Sequence, residues 1–342
     1  MLKTFAGVAC LALAPVGLVA AQAAGTAAAL PKPATQTKLD LSILHAQVIL
    51  DHLGFSPGVL DGREGKSLVA AITGFQEVQG LPKTGKLDQP TLKALYPHRA
   101  FRPTQKITLT NEILAGPFTN PFPKDPALQS QLPALGYKTV MEKMGEMFHT
   151  TPAVLMELNS PDTKLTAGTQ IVVPNAITTQ RAYDPKLPEA WRKTLSDLNV
   201  DSTQPQGAKI VVSKSKEVLR VLDKDGKLVA QFMATMGSTH DPLPIGTWKV
   251  LGPSYNPEFH YNPKLFWDAK KGSKQALLPP GPNGPVGVVW LDLSKPHYGI
   301  HGTPSPETIG RAESHGCIRL TNWDAARLAM MVKAGTPAVF QS

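Results

Sequence analysis

Apolar positions recur at helical spacing from about residue 39 to residue 96 and switch to alternation from residue 208. Leu41, Leu44, Val48 and Leu53 lie on one face of a predicted first helix, which Gly54 ends. Gly58-Val59-Leu60-Asp61-Gly62-Arg63-Glu64-Gly65 reads as a glycine-rich turn. A second helix is predicted to follow, with Ser67 as N-cap and Val69, Ile72, Phe75 and Gln76 along it. Gly80-Leu81-Pro82 breaks it, and Asp88 is placed to cap a short third helix through Leu92 and Leu95.

Residues 98–136 carry Pro103, Pro117, Pro121, Pro123, Pro126 and Pro133, and are expected to run extended over the surface. Residues 137–176 read strand, helix, helix, strand, with helices over 141–148 and 152–158 and a closing strand over 169–173. Residues 177–207 read as a polar linker containing one amphipathic helix around Trp191, Leu195 and Leu198.

Strands are predicted over 210–212, 218–222, 228–236, 247–251, 287–293, 298–301 and 338–340, with Asp225-Gly226 as a hairpin turn. One helix interrupts this run. Asn322 is expected to cap it, Asp324 to sit at its positive end, Ala325, Leu328 and Val332 to form its apolar face, and Gly335 to stop it. Glycines and prolines over 252–287 suit long loops at a sheet mouth. The fold class expected is multidomain α+β. A mostly-β domain over 208–342 is preceded by a three-helix domain over 39–97, a Pro-rich linker, a small βααβ domain over 137–176 and the 177–207 linker.

Composition adds a compartment. Residues 1–23 have a basic Lys3, an apolar run from Phe5 to Ala20 and a small-x-small site at Ala21-Gln22-Ala23, the layout of a cleavable export signal. Residues 24–38 then read as a flexible leader. The apolar run is short for a membrane span, and no later stretch is long and apolar enough for one, so the processed chain is not expected to be transmembrane. The chain carries 35 Lys+Arg against 26 Asp+Glu, a net charge of +9. Losing Lys3 leaves 34 against 26, or +8. No basic-aromatic run appears, which argues against nucleic acid; diffuse positive charge on an exported chain fits an anionic surface such as a cell wall.

Of the two cysteines, Cys10 falls within the signal, leaving Cys317 without an intramolecular partner. It sits in Ser314-His315-Gly316-Cys317-Ile318-Arg319, with His301-Gly302-Thr303 upstream. A lone exported thiol beside histidines and an arginine fits a nucleophile. If 315–317 are extended, His315 shares the Cys317 face and is placed for substrate or the oxyanion, whereas His301 ends another strand and can approach as base. Gly316 removes a side chain beside the reacting centre, so the N–H groups of His315, Gly316 and Cys317 can form an oxyanion hole. Arg319 adds positive potential, either lowering the thiol pKa or holding the loop, and Ser314 is placed to orient the turn. His297 and His301 are four apart, but Gly299 between them and the lack of a carboxylate motif argue against a metal pair. Tyr255, Asn256, Asn262 and Asn283 are loop polars that substrate could touch.

These motifs resemble known families. His301-Gly302-Thr303, Ser314-His315-Gly316-Cys317-Ile318-Arg319-Leu320, Asn322 and Asp324-Ala325 are similar to the signature of the L,D-transpeptidase (YkuD-type) catalytic domain. Gly237, Pro244-Ile245-Gly246-Thr247-Trp248 and Gly335-Thr336-Pro337 match its flanking turns. Gln47, Gly54, Pro57-Gly58, Asp61-Gly62, Gly65, Phe75-Gln76, Gly80-Leu81 and Gly85 resemble the three-helix peptidoglycan-binding module. Residues 154–159 and 165–174 resemble the second half of a LysM glycan-binding module, whose usual Gly-Asp-Thr-Leu turn is here replaced by Glu142-Lys143-Met144.

The resemblance implies a cysteine-dependent acyltransferase that needs no cofactor and no metal. Cys317 would attack the diamino-acid carbonyl of a wall tetrapeptide stem, D-Ala would leave, and the thioester would pass to an amine. His301 would be the base, oriented by the Gly302 carbonyl, with His315 and Gly316 on the oxyanion side. The implied partners are peptidoglycan stems and glycan, with an outer-membrane lipoprotein as a further acceptor, and the implied location is the periplasm at the wall. The same residues would serve a hydrolase using water as acceptor. A non-catalytic wall-binding protein is the third reading.

Overall fold

The computed structural model describes residues 38–178, 180–266, 269, 271–311, 314 and 316–342. The expected signal, and the leader up to residue 37, lie outside the described residues. Lys38–Ser342 forms one compact unit, not a string of separated domains.

Helix α1 (Leu41–His52) is capped by Asp40, whose carboxylate accepts from the N–H groups of Ser42 and Ile43. It is buried on two sides. Ile49 and Leu50 join the three-helix core, while Leu44 and Val48 pack with Leu60 and Ala176. A helix apolar on both sides carries little amphipathic contrast, because both faces meet protein. Strand β1 (Phe55–Ser56) follows, then α2 (Lys66–Val78) and α3 (Gln89–Leu95). Gly65, not Ser67, occupies the N-cap position of α2, and no side chain caps it. Asp88 caps α3 as expected, accepting from Thr91 N–H.

The Pro-rich segment is not the surface linker expected. Strand β2 (Thr104–Thr108) pairs antiparallel with β3 (Gln170–Pro174), Lys106 opposite Val172. The first strand of the βααβ unit therefore comes from 104–108, not from near Tyr137, and two short helices, α4 (Asn111–Leu114) and α5 (Pro126–Gln129), are inserted before α6 (Val140–Met147) and α7 (Pro152–Leu158). Leu109 and Leu135 of that insertion are fully buried. Leu135 bonds through its backbone to Pro280 and Asn283, which fixes the insertion to a loop of the β domain. Glu142, the departure from the LysM turn, belongs to the N-terminal cap of α6: Thr139 accepts from Glu142 N–H and the Glu142 carboxylate accepts from Lys138 N–H.

The 177–207 segment is also more than a linker. Helix α8 (Glu189–Asp197) buries Trp191 and Leu195 in the β-domain core. Strands β4 (Lys209–Ser213), β5 (Val218–Leu222), β6 (Leu228–Met233), β7 (Thr235–Met236) and β8 (Gly246–Tyr255) follow the predicted alternation, with Gly226 at φ +78° in the β5–β6 turn. Within the predicted loop region, β9 (Phe259–Tyr261) and β10 (Ala276–Leu278) form a separate hairpin. Then come β11 (Val289–Leu293), β12 (Gly299–His301), β13 (Ile318–Arg319), helix α9 (Asn322–Met331) and β14 (Pro337–Gln341). Thr321, not Asn322, caps α9, and the helix ends at Met331, before Gly335.

The main sheet runs β1-β6-β5-β4-β14-β8-β11-β12-β13-β7. Only Ala234 separates β6, second in this order, from β7 at its far end, so the sheet curls back on itself. Its β6 edge is covered by β1, parallel, with Phe55 opposite Gln231. Gln231 reinforces this seam, donating its own N–H to Gly54 O at 2.9 Å and its side-chain amide to Ala70 O at 2.7 Å.

Behind the seam lies a buried polar cluster. Arg327 of α9 donates to Asp51 of α1 through Nη1 at 2.9 Å and Nη2 at 2.5 Å. His149, after α6, bonds Asp51 at 2.9 Å and Leu198 O at 2.8 Å, and stacks on Trp323 at 5.0 Å. Ser56 of β1 donates to Asp324 of α9 at 2.8 Å. Burial raises the Asp51 carboxyl, but Arg327 and His149 outweigh it and hold that group well below the usual carboxylate range. Burial takes Asp324 the other way, up to about 6. Among the described residues no helix is long and apolar enough to cross a membrane.

Candidate active site

Strands β12 and β13 run parallel, Ile300 opposite Ile318 and His301 opposite Arg319. This pairing brings the end of His301-Gly302-Thr303 beside the entry to β13, where Cys317 sits. Cys317 is half-buried, and its thiol donates to His297 O at 3.8 Å. His301 is buried, stacked 5.4 Å from the ring of its cross-strand neighbour Trp290 at 19°.

His301 Nδ1 lies 2.7 Å from Gly302 O. A carbonyl only accepts, so Nδ1 carries the proton and Nε2 is left with a free lone pair. Burial, then the Arg319 charge, lowers the His301 pKa to about 3 against the opposing pull of the Gly302 bond, so the imidazole is neutral at physiological pH. Burial pushes the Cys317 thiol up, and a backbone hydrogen bond from Gly299 and the Arg319 charge offset this only in part. The sequence allowed for a thiol lowered by Arg319; the resting thiol is raised because desolvation outweighs that charge.

The approach to Cys317 is not the extended run expected. Gly316 has φ +93°, and a Cβ there would lie 2.8 Å from Tyr298 Cε1. Both the left-handed backbone and the close ring therefore favour glycine. Ser314 holds this turn from the side: its hydroxyl donates to Cys317 O at 2.6 Å and accepts from Gly237 N–H at 2.6 Å, and its own N–H donates to Gly237 O at 3.1 Å. Ser314 is thus placed to orient the turn, tied to the Gly237 end of β7. His315 lies outside the described residues.

Asn322 was read as a helix cap and as part of the catalytic-domain signature, with no contact at the site assigned to it. Asn322 Oδ1 accepts from Val288 N–H at 3.3 Å and packs so closely that a Cβ on Gly302 would approach it to 2.1 Å and one on Gly287 to 1.9 Å. The sequence signal was the pair of glycines, each beside an apolar strand. The four loop polars have structural partners instead. Asn256 Oδ1 accepts from Thr194, Asn262 caps a short turn at Lys264, Asn283 donates to Gly136 O and Glu142, and Tyr255 stacks on Trp191. Among the described residues no group of three His, Cys, Asp or Glu side chains is placed to hold a metal ion.

Two segments of the chain are similar to known families. Residues 207–340 match the YkuD family, described as the L,D-transpeptidase catalytic domain, and residues 41–95 match the family described as "Putative peptidoglycan binding domain". The chain carries an L,D-transpeptidase catalytic domain behind an N-terminal module of the peptidoglycan-binding family. It is 58% identical over 128 residues to "Putative L,D-transpeptidase YkuD" of Bacillus licheniformis, covering 37% of this chain and 62% of that protein. It is 30% identical over 134 residues to "Probable L,D-transpeptidase YbiS" of Escherichia coli K12, covering 38% and 44%. The matches thus span less than two thirds of these relatives. Among solved structures, an L,D-transpeptidase from Mycobacterium smegmatis matches at 23% identity and TM-score 0.32, over 39% of this chain and 58% of that one.

Proposed function

We propose that this chain is a peptidoglycan L,D-transpeptidase working through Cys317. The observation that carries the reading is the His301 tautomer: Nδ1–H is given to Gly302 O, so Nε2 is free to take a proton, on the strand beside the thiol. Both groups rest neutral, so proton transfer accompanies attack and does not precede it. The Cys317 sulfur bonds to the diamino-acid carbonyl of a tetrapeptide stem while its proton passes to His301. The C–N bond to D-Ala breaks and that proton leaves on the amine. An incoming amine then attacks the thioester, gives a proton to His301, and the thiol recovers it. The N–H groups of His315, Gly316 and Cys317 are proposed to receive the oxyanion.

The 41–95 module would hold wall glycan, placing the enzyme at the cell wall of the periplasm. Acceptors of this reading are a second stem amine, a D-amino acid or an outer-membrane lipoprotein. The test is mass spectrometry after incubating residues 24–342 with disaccharide-tetrapeptide, beside Cys317→Ala. Cross-linked dimers from the wild type alone are expected, with Cys317→Ala slower by at least about a thousandfold and unable to take up a carbapenem. Tripeptide and free D-Ala without dimer would replace this reading with a hydrolase, and acylation of Cys317→Ala would overturn the nucleophile.

A further inference from the structure

We infer that Glu146, from the βααβ unit and distant in sequence from the catalytic motif, is a positioning residue for the base His301. The inference rests on the acyl-transfer reading. Asn322 Nδ2 donates to both carboxyl oxygens of Glu146, at 2.7 and 3.0 Å, and also faces Pro282 O at 3.2 Å. Its three acceptors all lie on the Nδ2 side and its one donor, Val288 N–H, on the Oδ1 side, so the amide has a single satisfied orientation. In that orientation Oδ1 fills the notch left by Gly287 and Gly302. Gly302 supplies the carbonyl that fixes the His301 ring. Tyr137 OH donates at 3.1 Å to Glu146 Oε2, an oxygen Asn322 also reaches, so hydrogen bonds and the packing of Oδ1 on Gly302 give a relay Tyr137–Glu146–Asn322–Gly302–His301.

Every member of this relay from Glu146 to His301 is buried or sits in the core beside buried groups, with Glu146 4% and Asn322 0% exposed. Among the described residues, this is the shortest side-chain bond between the βααβ unit and α9. If Glu146 is truncated, Asn322 loses two acceptors in a dry site and is free to turn, releasing the Gly302 peptide. The effect on chemistry would be a misaligned Nε2, with the thiol and the substrate cleft untouched.

The experiment compares full-length wild type, Glu146→Ala and Glu146→Gln by the rate of Cys317 acylation with imipenem, separating the first-order acylation constant from the apparent dissociation constant. Thermal melting is followed alongside. For Glu146→Ala we expect the first-order constant to fall by tenfold or more with the dissociation constant within twofold. Glu146→Gln keeps a side-chain oxygen for Asn322 and should stay within threefold of wild type. If Glu146→Ala does not fold, Glu146→Asp, which shortens the arm but keeps the acceptor, is held to the same tenfold criterion. A first-order constant within twofold of wild type in the folded truncation, or a loss confined to the dissociation constant, would overturn the relay. Wild type that is not acylated at all would overturn the parent reading, and the relay with it.

Discussion

If His301 is the base proposed above, it meets the substrate neutral, and that fixes an expectation for pH. A group held near 3 in the folded chain does not titrate at the ordinary histidine value. The imipenem acylation rate should therefore pass through pH 6–7 without a step and rise on the alkaline side as the raised thiol ionises. A clear inflection between pH 6 and 7 would show that His301 is charged there, and that burial is not what sets its state. At this scale the grouping of the candidate site was legible in the sequence because its residues are local: His301, Gly302, Ser314 and Cys317 lie within seventeen residues. Glu146 was not. It lies within a helix, where a glutamate reads as solvent-facing, and only a partner 176 positions away draws it into the core. Asn322 read as a cap because asparagine favours that position, but Thr321 has the same capping chemistry one residue earlier and takes the place.

At the scale of elements, periodicity located the longer helices and most of the strands; it missed the four-residue helices α4 and α5, the β9–β10 hairpin, and strands β1 and β2, whose partners are remote. Strand β2 has an exposed, largely polar sequence, Thr-Gln-Lys-Ile-Thr, and owes its conformation to pairing with β3. Strand β1 has two residues and exists as a strand through β6. Helix α9 is where distant elements meet, since Arg327 reaches Asp51, Asp324 receives Ser56, and Asn322 reaches Glu146. Removing one side of the buried ion pair leaves the other without compensation. Asp51→Ala is expected to cost about 3–5 kcal/mol, read from urea unfolding. A cost below about 1 kcal/mol would mean that Arg327 finds another partner or water. The sign with pH follows from Asp51 being held below its ordinary value. Its contribution is present above the unfolded carboxylate range and is lost as acid protonates the folded group.

For the whole molecule, domain boundaries drawn from composition understate how far the parts are joined. Leu228 of β6 packs in the three-helix core, Trp191 of α8 in the β-domain core, and Leu135 against the loop at Pro280. Residues 38–342 should then unfold in one calorimetric transition, with a calorimetric to van't Hoff enthalpy ratio of about 1. Two or more resolved transitions would show that the seams open before the cores. The parallel pairing of β1 with β6 has a further consequence. An enzyme whose wall-gripping part hung on a linker would sample every stem within its reach. Here the three helices are bonded to the edge of the sheet that carries the thiol, and the chain is a caliper. If the helices seat on glycan, the stems that react are those at one set spacing from the grip, and the pattern of bonds made follows the repeat of the sugar chain.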